Sequence, residues 1–368
     1  MKICHITTVH KDTDVRIFHK MCKSLALVEG FTVHLVVPNS KSRTEEGVQI
    51  HSFDSVYRKR STRIRKAGKM ALQLALDIDA DIYHLHDPEL LFIAKKLKKK
   101  THSKVIFDSH EDVPKQLLDK IWIPPLQRRF ISWLYARYEK RICQSIDGII
   151  SVTPIICQRF KKFHSRVEMI ANFPDKKEFP EMQREGEFQR AIAYVGGIFK
   201  TRGIVELVTA IEPLDVSLIL AGEFDSESLK KEVTALNGWK KVEYLGLVDR
   251  EAITAILKRS EIGIVTLHPT QSYVESYPIK LFEYMATSNA ILASDFSLWR
   301  SLMDPFDCGE MVDPLDINKI TQTLSDMLSN KEKTRKQGAN GYLAFQQTYN
   351  WESELEKLVL FYREVHAN

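Results

Sequence analysis

The pattern that most constrains the fold is an alternation of short apolar strands with amphipathic helices, which runs from residue 3, stops, and begins again. Ile3–Thr7 reads as a buried strand, and Val15–Leu27 repeats apolar positions at helical spacing through Ile17, Phe18, Met21, Cys22 and Leu25. Strands are predicted next at Phe31–Val37, Val48–Phe53, Ile82–Leu85, Val105–Phe107 and Gly148–Val152, with helices over 62–78, 89–99 and 126–145. From Asn172 through Pro180 to Arg190 proline and charge replace the periodicity, which reads as a linker. The alternation then resumes with strands at Ile192–Val195, Val216–Ala221, Val242–Leu245, Ile262–Thr266 and Ala290–Ala293, and helices over 203–211, 226–236, 250–258 and 278–287.

Such alternation implies an α/β protein with parallel sheets wrapped by helices, whose functional loops leave the carboxyl ends of the strands. The 368 residues exceed one ordinary core, so two doubly wound, Rossmann-like domains are expected: 1–172 and 191–350, joined by a linker over 173–190. The final helix, 351–368, follows two others with no strand after it and is expected to pack back on the first domain.

The five cysteines are odd in number, scattered and without a Cys-x-x-Cys pair, which argues against a disulfide framework or a cysteine zinc site and for a reducing cytosol. No h-region follows Met1 and no run of about 18 apolar residues occurs, so neither export nor a membrane span is expected. Charge is unevenly divided. Residues 1–180 hold 33 Lys+Arg against 20 Asp+Glu, while the remainder holds 20 against 28. The first half therefore suits an anionic partner, nucleic acid or a membrane surface.

Polar residues gather after three strands of the first half. They are Thr7, Thr8, His10, Asp14 and Arg16; then His84, His86, Asp87 and Glu89; then Asp108, Ser109, His110, Glu111 and Asp112. Three clusters at equivalent sheet positions look like one pocket, with His10, Asp14, Arg16, His86, Asp87 and Glu111 as acceptor or pocket residues. The other histidines, His5 among them, read as surface or packed. Asp12-x-Asp14, Asp77-x-Asp79 and Asp79-x-Asp81 match a metal-holding Asp-x-Asp string but read as structural, since such strings arise readily in a chain with 48 acidic residues, and no metal or other cofactor is predicted.

In the second half, Glu275-Ser-Tyr-Pro-Ile-Lys-Leu-Phe-Glu283 carries a helix start, because Pro278 suits the first turn and pushes Tyr277 toward extended geometry. Glu275 then lies in the loop ahead and Glu283 inside the helix. Between them, first-turn N–H groups, that of Leu281 included, and Lys280 make an anion site at the positive end of the helix dipole. Two carboxylates flanking a phosphate cradle suit a sugar nucleotide, as acceptors for hydroxyls beside a diphosphate. The bland alternative is an amphipathic helix with one cap-like and one solvated Glu. Tyr194-Val-Gly-Gly-Ile-Phe-Lys-Thr-Arg-Gly203 is a strand, a glycine turn and a helix start, where Gly196 and Gly197 admit close backbone approach and Arg202 could clamp a phosphate.

Taken in order, Phe-Asp-Ser-His-Glu111, the glycine–basic turn and E-x7-E before Tyr-Met-Ala resemble the retaining glycosyltransferases of family four, which have the GT-B fold of two Rossmann-like domains facing across a cleft. His84-Leu-His-Asp-Pro-Glu89 and Asn172 also fall where that family places such residues. The resemblance implies an acceptor-binding first domain and a nucleotide-sugar-binding second. It implies that Glu275 contacts the donor sugar, Glu283 the ribose, His110 the reaction centre, and Arg202, in place of the usual Lys, the diphosphate. Gly197 departs from the family's Arg, leaving Lys200 or Lys280 to supply that charge. The implied activity is transfer of a hexose-type sugar from a UDP- or GDP-sugar to a lipid-linked glycan acceptor in bacterial surface polysaccharide synthesis. A GT-B nucleotide-sugar epimerase is the alternative, and a non-catalytic nucleic-acid binder another, though no nucleic-acid motif supports the latter.

Basic tracts at Arg58–Arg63, with Arg65 and Lys66, and at Lys95–Lys100 accompany Ile121-Trp-Ile-Pro-Pro and a helix bearing Arg128, Arg129, Trp133, Tyr135 and Tyr138. Cations mixed with aromatics suit an anionic bilayer, or else a solvated helix face with core aromatics. The expectation is a cytoplasmic protein held peripherally on the inner face of the membrane.

Overall fold

The computed structural model describes every residue except 56–59, 121, 180–186, 188 and 368. Part of the expected linker, and Arg58, Lys59 and Ile121 of the basic and aromatic tracts, lie outside the described residues. The chain forms two compact units. Met1–Asn172 with Trp351–Asn368 makes one, and Phe173–Asn350 the other.

The first unit carries β1 (Lys2–Ile6), β2 (Thr32–Pro38), β3 (Arg43–Glu45), β4 (Val48–Phe53), β5 (Ile82–Leu85), β6 (Lys104–Ser109), β7 (Gly148–Ser151) and β8 (Val167–Met169) in the order β3-β4-β2-β1-β5-β6-β7-β8. Only the β3–β4 pairing is antiparallel among these. The chain runs outward from β1 in both directions, so the topological switch point lies between β1 and β5, where ligands of open α/β sheets bind. The inner strands are buried throughout because helices cover both faces, which is why they read as unbroken apolar runs.

Two short strands, β3 and β8, were not expected; three residues each, they carry too little pattern to read. The Val15–Leu27 helix also differs from expectation. Val15–Cys22 is a π-helix, and only Lys23–Ala26 is α-helical. Asp14 starts it, accepting from the Arg16 and Ile17 amides through its side chain and from the Phe18 and His19 amides through its carbonyl. The wider turn lets Arg16 and Lys20 lie buried beside Ile17, Phe18 and Met21.

The helix Trp351–Ala367 belongs to the first unit. Trp351, Leu358, Phe361, Tyr362 and Val365 join the core over Ile3, Val33, Ile82 and Ile150, and Trp351 Nε1 donates to Ser24 Oγ at 2.9 Å.

The second unit carries β9 (Ala191–Val195), β10 (Ser217–Ala221), β11 (Val242–Gly246), β12 (Ile262–Val265), β13 (Ala290–Ser294) and β14 (Gly309–Val312), all parallel, in the order β11-β10-β9-β12-β13-β14. Its switch point lies between β9 and β12, so the glycine turn after β9 and the loop after β12 open side by side. At Gly203, φ is +72° and a Cβ would stand 2.1 Å from the Thr266 carbonyl oxygen, so only glycine brings the two loops this close. Among the described residues no helix is long and apolar enough to cross a membrane.

Candidate active site

The second unit builds its site from the turn after β9 and the helix Ile279–Ala286. Gly196 has φ +116°, and a Cβ there would lie 2.7 Å from Lys280 Cε. Lacking one, the turn admits the lysine, whose Nζ rests 3.8 Å from the centre of the Tyr194 ring. The stem of Lys280 is partly exposed, but its amino nitrogen is buried without a hydrogen-bond partner among the described residues. Burial first, then the Arg202 charge, push its pKa well below the ordinary lysine value, while Glu283 opposes them.

Arg202 Nη1 donates to the Gly197 carbonyl at 3.0 Å, as does the Tyr194 hydroxyl at 2.9 Å. Lys200 is exposed and pairs with Glu232 at 2.6 Å. Of the two lysines considered for the charge missing at Gly197, Lys280 is the one at the turn.

Pro278 takes the N-cap position and the helix starts at Ile279. The Leu281 amide returns to the Pro278 carbonyl at 3.1 Å and its side chain is buried, which corrects its expected role as a free donor. A short helix, Gln271–Val274, precedes and ends at Glu275, which is half-buried; Trp299 Nε1 anchors the following loop by donating to the Ser276 carbonyl at 2.8 Å. Glu283 is buried, with Oε1 2.5 Å from Arg250 Nη1, while Arg250 Nη2 donates to Glu178 at 2.7 Å. Arg250 was not picked out in sequence. It lies at the start of the helix after β11, and no local pattern points to a residue 33 positions away.

In the first unit the loops after β1, β5 and β6 meet around Asp108. This buried carboxylate receives Arg16 Nε and Nη2 at 3.1–3.2 Å. Three imidazole nitrogens approach its Oδ2: His110 Nε2 at 3.1 Å, His86 Nδ1 at 3.5 Å and His84 Nε2 at 3.6 Å. Their directions fall short of straight hydrogen bonds. Burial raises the Asp108 pKa, yet Arg16 and then His110 outweigh it and hold the group well below the carboxylate range.

Behind this, His5 Nδ1 meets His86 Nε2 at 2.9 Å and His84 Nδ1 meets the Tyr362 hydroxyl at 2.5 Å. His5 is therefore part of the cluster, correcting its dismissal as an isolated packed residue. Burial lowers the pKa of His5, His84 and His86, so all three are neutral near pH 7.

Asp87 is buried and ties the first loop down, accepting from Thr7 Oγ1 at 2.9 Å and the Thr8 amide at 2.6 Å. His10 lies 3.0 Å from Asp14, whose pKa falls to about 2. Two expected pocket residues serve otherwise: Arg16 is occupied by Asp108, and the exposed Glu111 side chain accepts from Gln116. His110 remains partly exposed, with His10 and His86 rings 5.9 and 5.8 Å away.

Among the described residues two groups are close enough to hold a metal, His5–His84–His86 and His86–Asp108–His110. In the first, the rings stack within 13–26° of parallel, which keeps in-plane lone pairs from converging; in the second, Arg16 already neutralises the carboxylate. The Asp-x-Asp carboxylates are engaged locally: Asp12 with Ser40 and Arg43, Asp77 with Gln73, Asp81 with the Lys2 amide.

Residues 15–178 match the family model described as Glycosyltransferase Family 4, and residues 175–344 match Glycosyl transferases group 1. The chain is a family-four glycosyltransferase of the GT-B fold. This glycosyltransferase is 24% identical to the MMP α-(1→4)-mannosyltransferase of Mycolicibacterium hassiacum over 67% of its own length and 60% of the relative's, so it spans less than two thirds of that protein. It is 19% identical to the O-antigen chain mannosyltransferase C of Escherichia coli, over 81% of this chain and 78% of that one. Among solved structures, Anabaena HepE in complex with UDP and glucose superposes with a TM-score of 0.73 at 11% identity, covering 99% of this chain and 100% of that one.

Proposed function

We propose that this protein transfers a hexose-type sugar, with retention of configuration, from a UDP- or GDP-sugar to a lipid-linked glycan acceptor in bacterial surface polysaccharide synthesis. The observation that carries this is the Lys280 amino group, buried beside the Gly196–Gly197 turn without a hydrogen-bond partner among the described residues, in the first turn of the helix Ile279–Ala286. An amino group held out of water without a hydrogen-bond partner, at the start of a helix, is prepared to take up a proton beside an anion such as a diphosphate. Relatives named for mannosyl transfer and O-antigen synthesis, and a structural neighbour holding UDP and glucose, support the sugar and its setting.

The donor lies on the second unit, Glu283 toward the ribose and Glu275 toward the sugar. The bond from the anomeric carbon to the diphosphate breaks, and Lys280, Arg202 and the helix end stabilise the departing charge. The acceptor oxygen bonds to that carbon from the same face and its proton passes to the departing phosphate oxygen. No metal takes part. The first half's excess of cations holds the enzyme on the anionic inner face of the cytoplasmic membrane.

Thermal unfolding in the presence of UDP- and GDP-hexoses tests this, because a ligand selective for the native state raises its stability by mass action. One nucleotide series should stabilise the wild type, and Glu275→Ala should keep the response to the bare diphosphate while losing sugar transfer. No response to either series sinks the proposal.

A further inference from the structure

The helix Pro125–Cys143 exposes a row of large apolar side chains while burying a serine and a glutamate. Toward the unit it turns Ser132, Glu139, Ile142 and Cys143, all buried. Ser132 Oγ donates to the Pro114 carbonyl at 2.7 Å, and Glu139 pairs with Arg159. On the opposite side Leu126, Phe130, Trp133 and Leu134 are 81, 61, 54 and 53% exposed, and Trp122 just ahead is 75% exposed. The spacing i, i+4, i+7, i+8 makes one row of the four helical positions.

The row comes with cations. The Arg137 guanidinium lies 5.1 Å from the Trp133 ring centre and Lys120 Nζ 5.7 Å from that of Trp122. Arg129, Arg137, Lys140 and Arg141 are exposed, whereas the only carboxylate of the helix, Glu139, is buried. Two copies meeting through this helix would oppose cation to cation with no exposed acid of the helix to relieve them. Lipid phosphates supply the missing negative charge, and the acyl boundary accepts the aromatic row.

We propose that this helix lies in the plane of an anionic bilayer, Trp122, Leu126, Phe130, Trp133 and Leu134 inserted at headgroup depth and the arginines on the phosphates. The proposal rests on the membrane attachment above and deepens it, because attachment by charge alone needs none of these side chains. It also changes the expected response to salt. Screening weakens the cationic contacts, while the inserted row keeps part of the binding.

Flotation of the full chain with phosphatidylglycerol-containing vesicles tests this. Wild type binds at low salt and retains measurable binding at high salt. F130S/W133S should lower the vesicle partition coefficient by at least about tenfold, since each large side chain returned to water costs roughly that factor or more. Its unfolding temperature and nucleotide-sugar response should match the wild type, as both side chains are exposed. If wild type binds but F130S/W133S binds equally, or all binding vanishes with salt, insertion is wrong and charge attachment stands. Absence of any binding overturns both, whereas a wild-type dimer that this variant splits overturns insertion alone. Loss of the nucleotide-sugar response with vesicle binding intact overturns the transferase reading alone.

Discussion

Lys280 Nζ sits 3.8 Å above the centre of the Tyr194 ring and has no hydrogen-bond partner among the described residues. A ring face is a weaker partner than a carboxylate, so a charge on this nitrogen is poorly compensated until an anion arrives.

Lys280→Met should therefore leave ligand-free stability within about 1 kcal/mol of wild type, or raise it, while removing stabilisation by UDP or GDP. Between the lowered folded-state pKa and the ordinary value of 10.5 the unfolded chain binds the extra proton, so wild-type stability rises with pH across that window and the variant loses this slope. Diphosphate binding should draw a proton onto Lys280, read as uptake by calorimetry in buffers of different ionisation enthalpy.

Asp108→Asn leaves the Arg16 guanidinium buried without its counterion and should cost about 3–5 kcal/mol in urea unfolding. Pairing it with Arg16→Met should recover much of that loss, because both buried charges are then gone.

Acid sensitivity should begin unusually high. His5, His84 and His86 are lowered by burial, so their contribution is fully present above the unfolded value of 6.5 and is lost as pH falls below it. Asp108, held well below 3.8, adds a loss only under that value. His10, raised by its hydrogen bond to Asp14, acts in the opposite sense just above 6.5. Urea midpoints should fall from pH 7 to pH 5, and His86→Gln should flatten that fall.

Arg250→Ala should destabilise by about 1–2 kcal/mol, a modest figure because Arg250 is half exposed while Glu283 is buried. Adding Glu283→Gln should restore part of the loss, as a double-mutant cycle would show.

Strand and helix order was legible because each element carries its own period: β4 and β5 begin and end where the alternation does. The helix start at Pro278 and the turn at Gly196 were legible because proline and glycine act on the local backbone. Not legible were the partners of Glu283 and of Asp108. Arg250 is 33 residues from the first, and Arg16 is 92 from the second.

The amino-acid order alone thus determined two doubly wound α/β units and the glycine and proline turns at their switch points, since periodicity and backbone freedom are local properties. Only the tertiary structure decided that Arg16 answers Asp108 instead of a ligand, that Lys280 Nζ has no hydrogen-bond partner among the described residues, and that Trp133 faces water. Charge pairing and burial depend on which distant segments the sheets bring together.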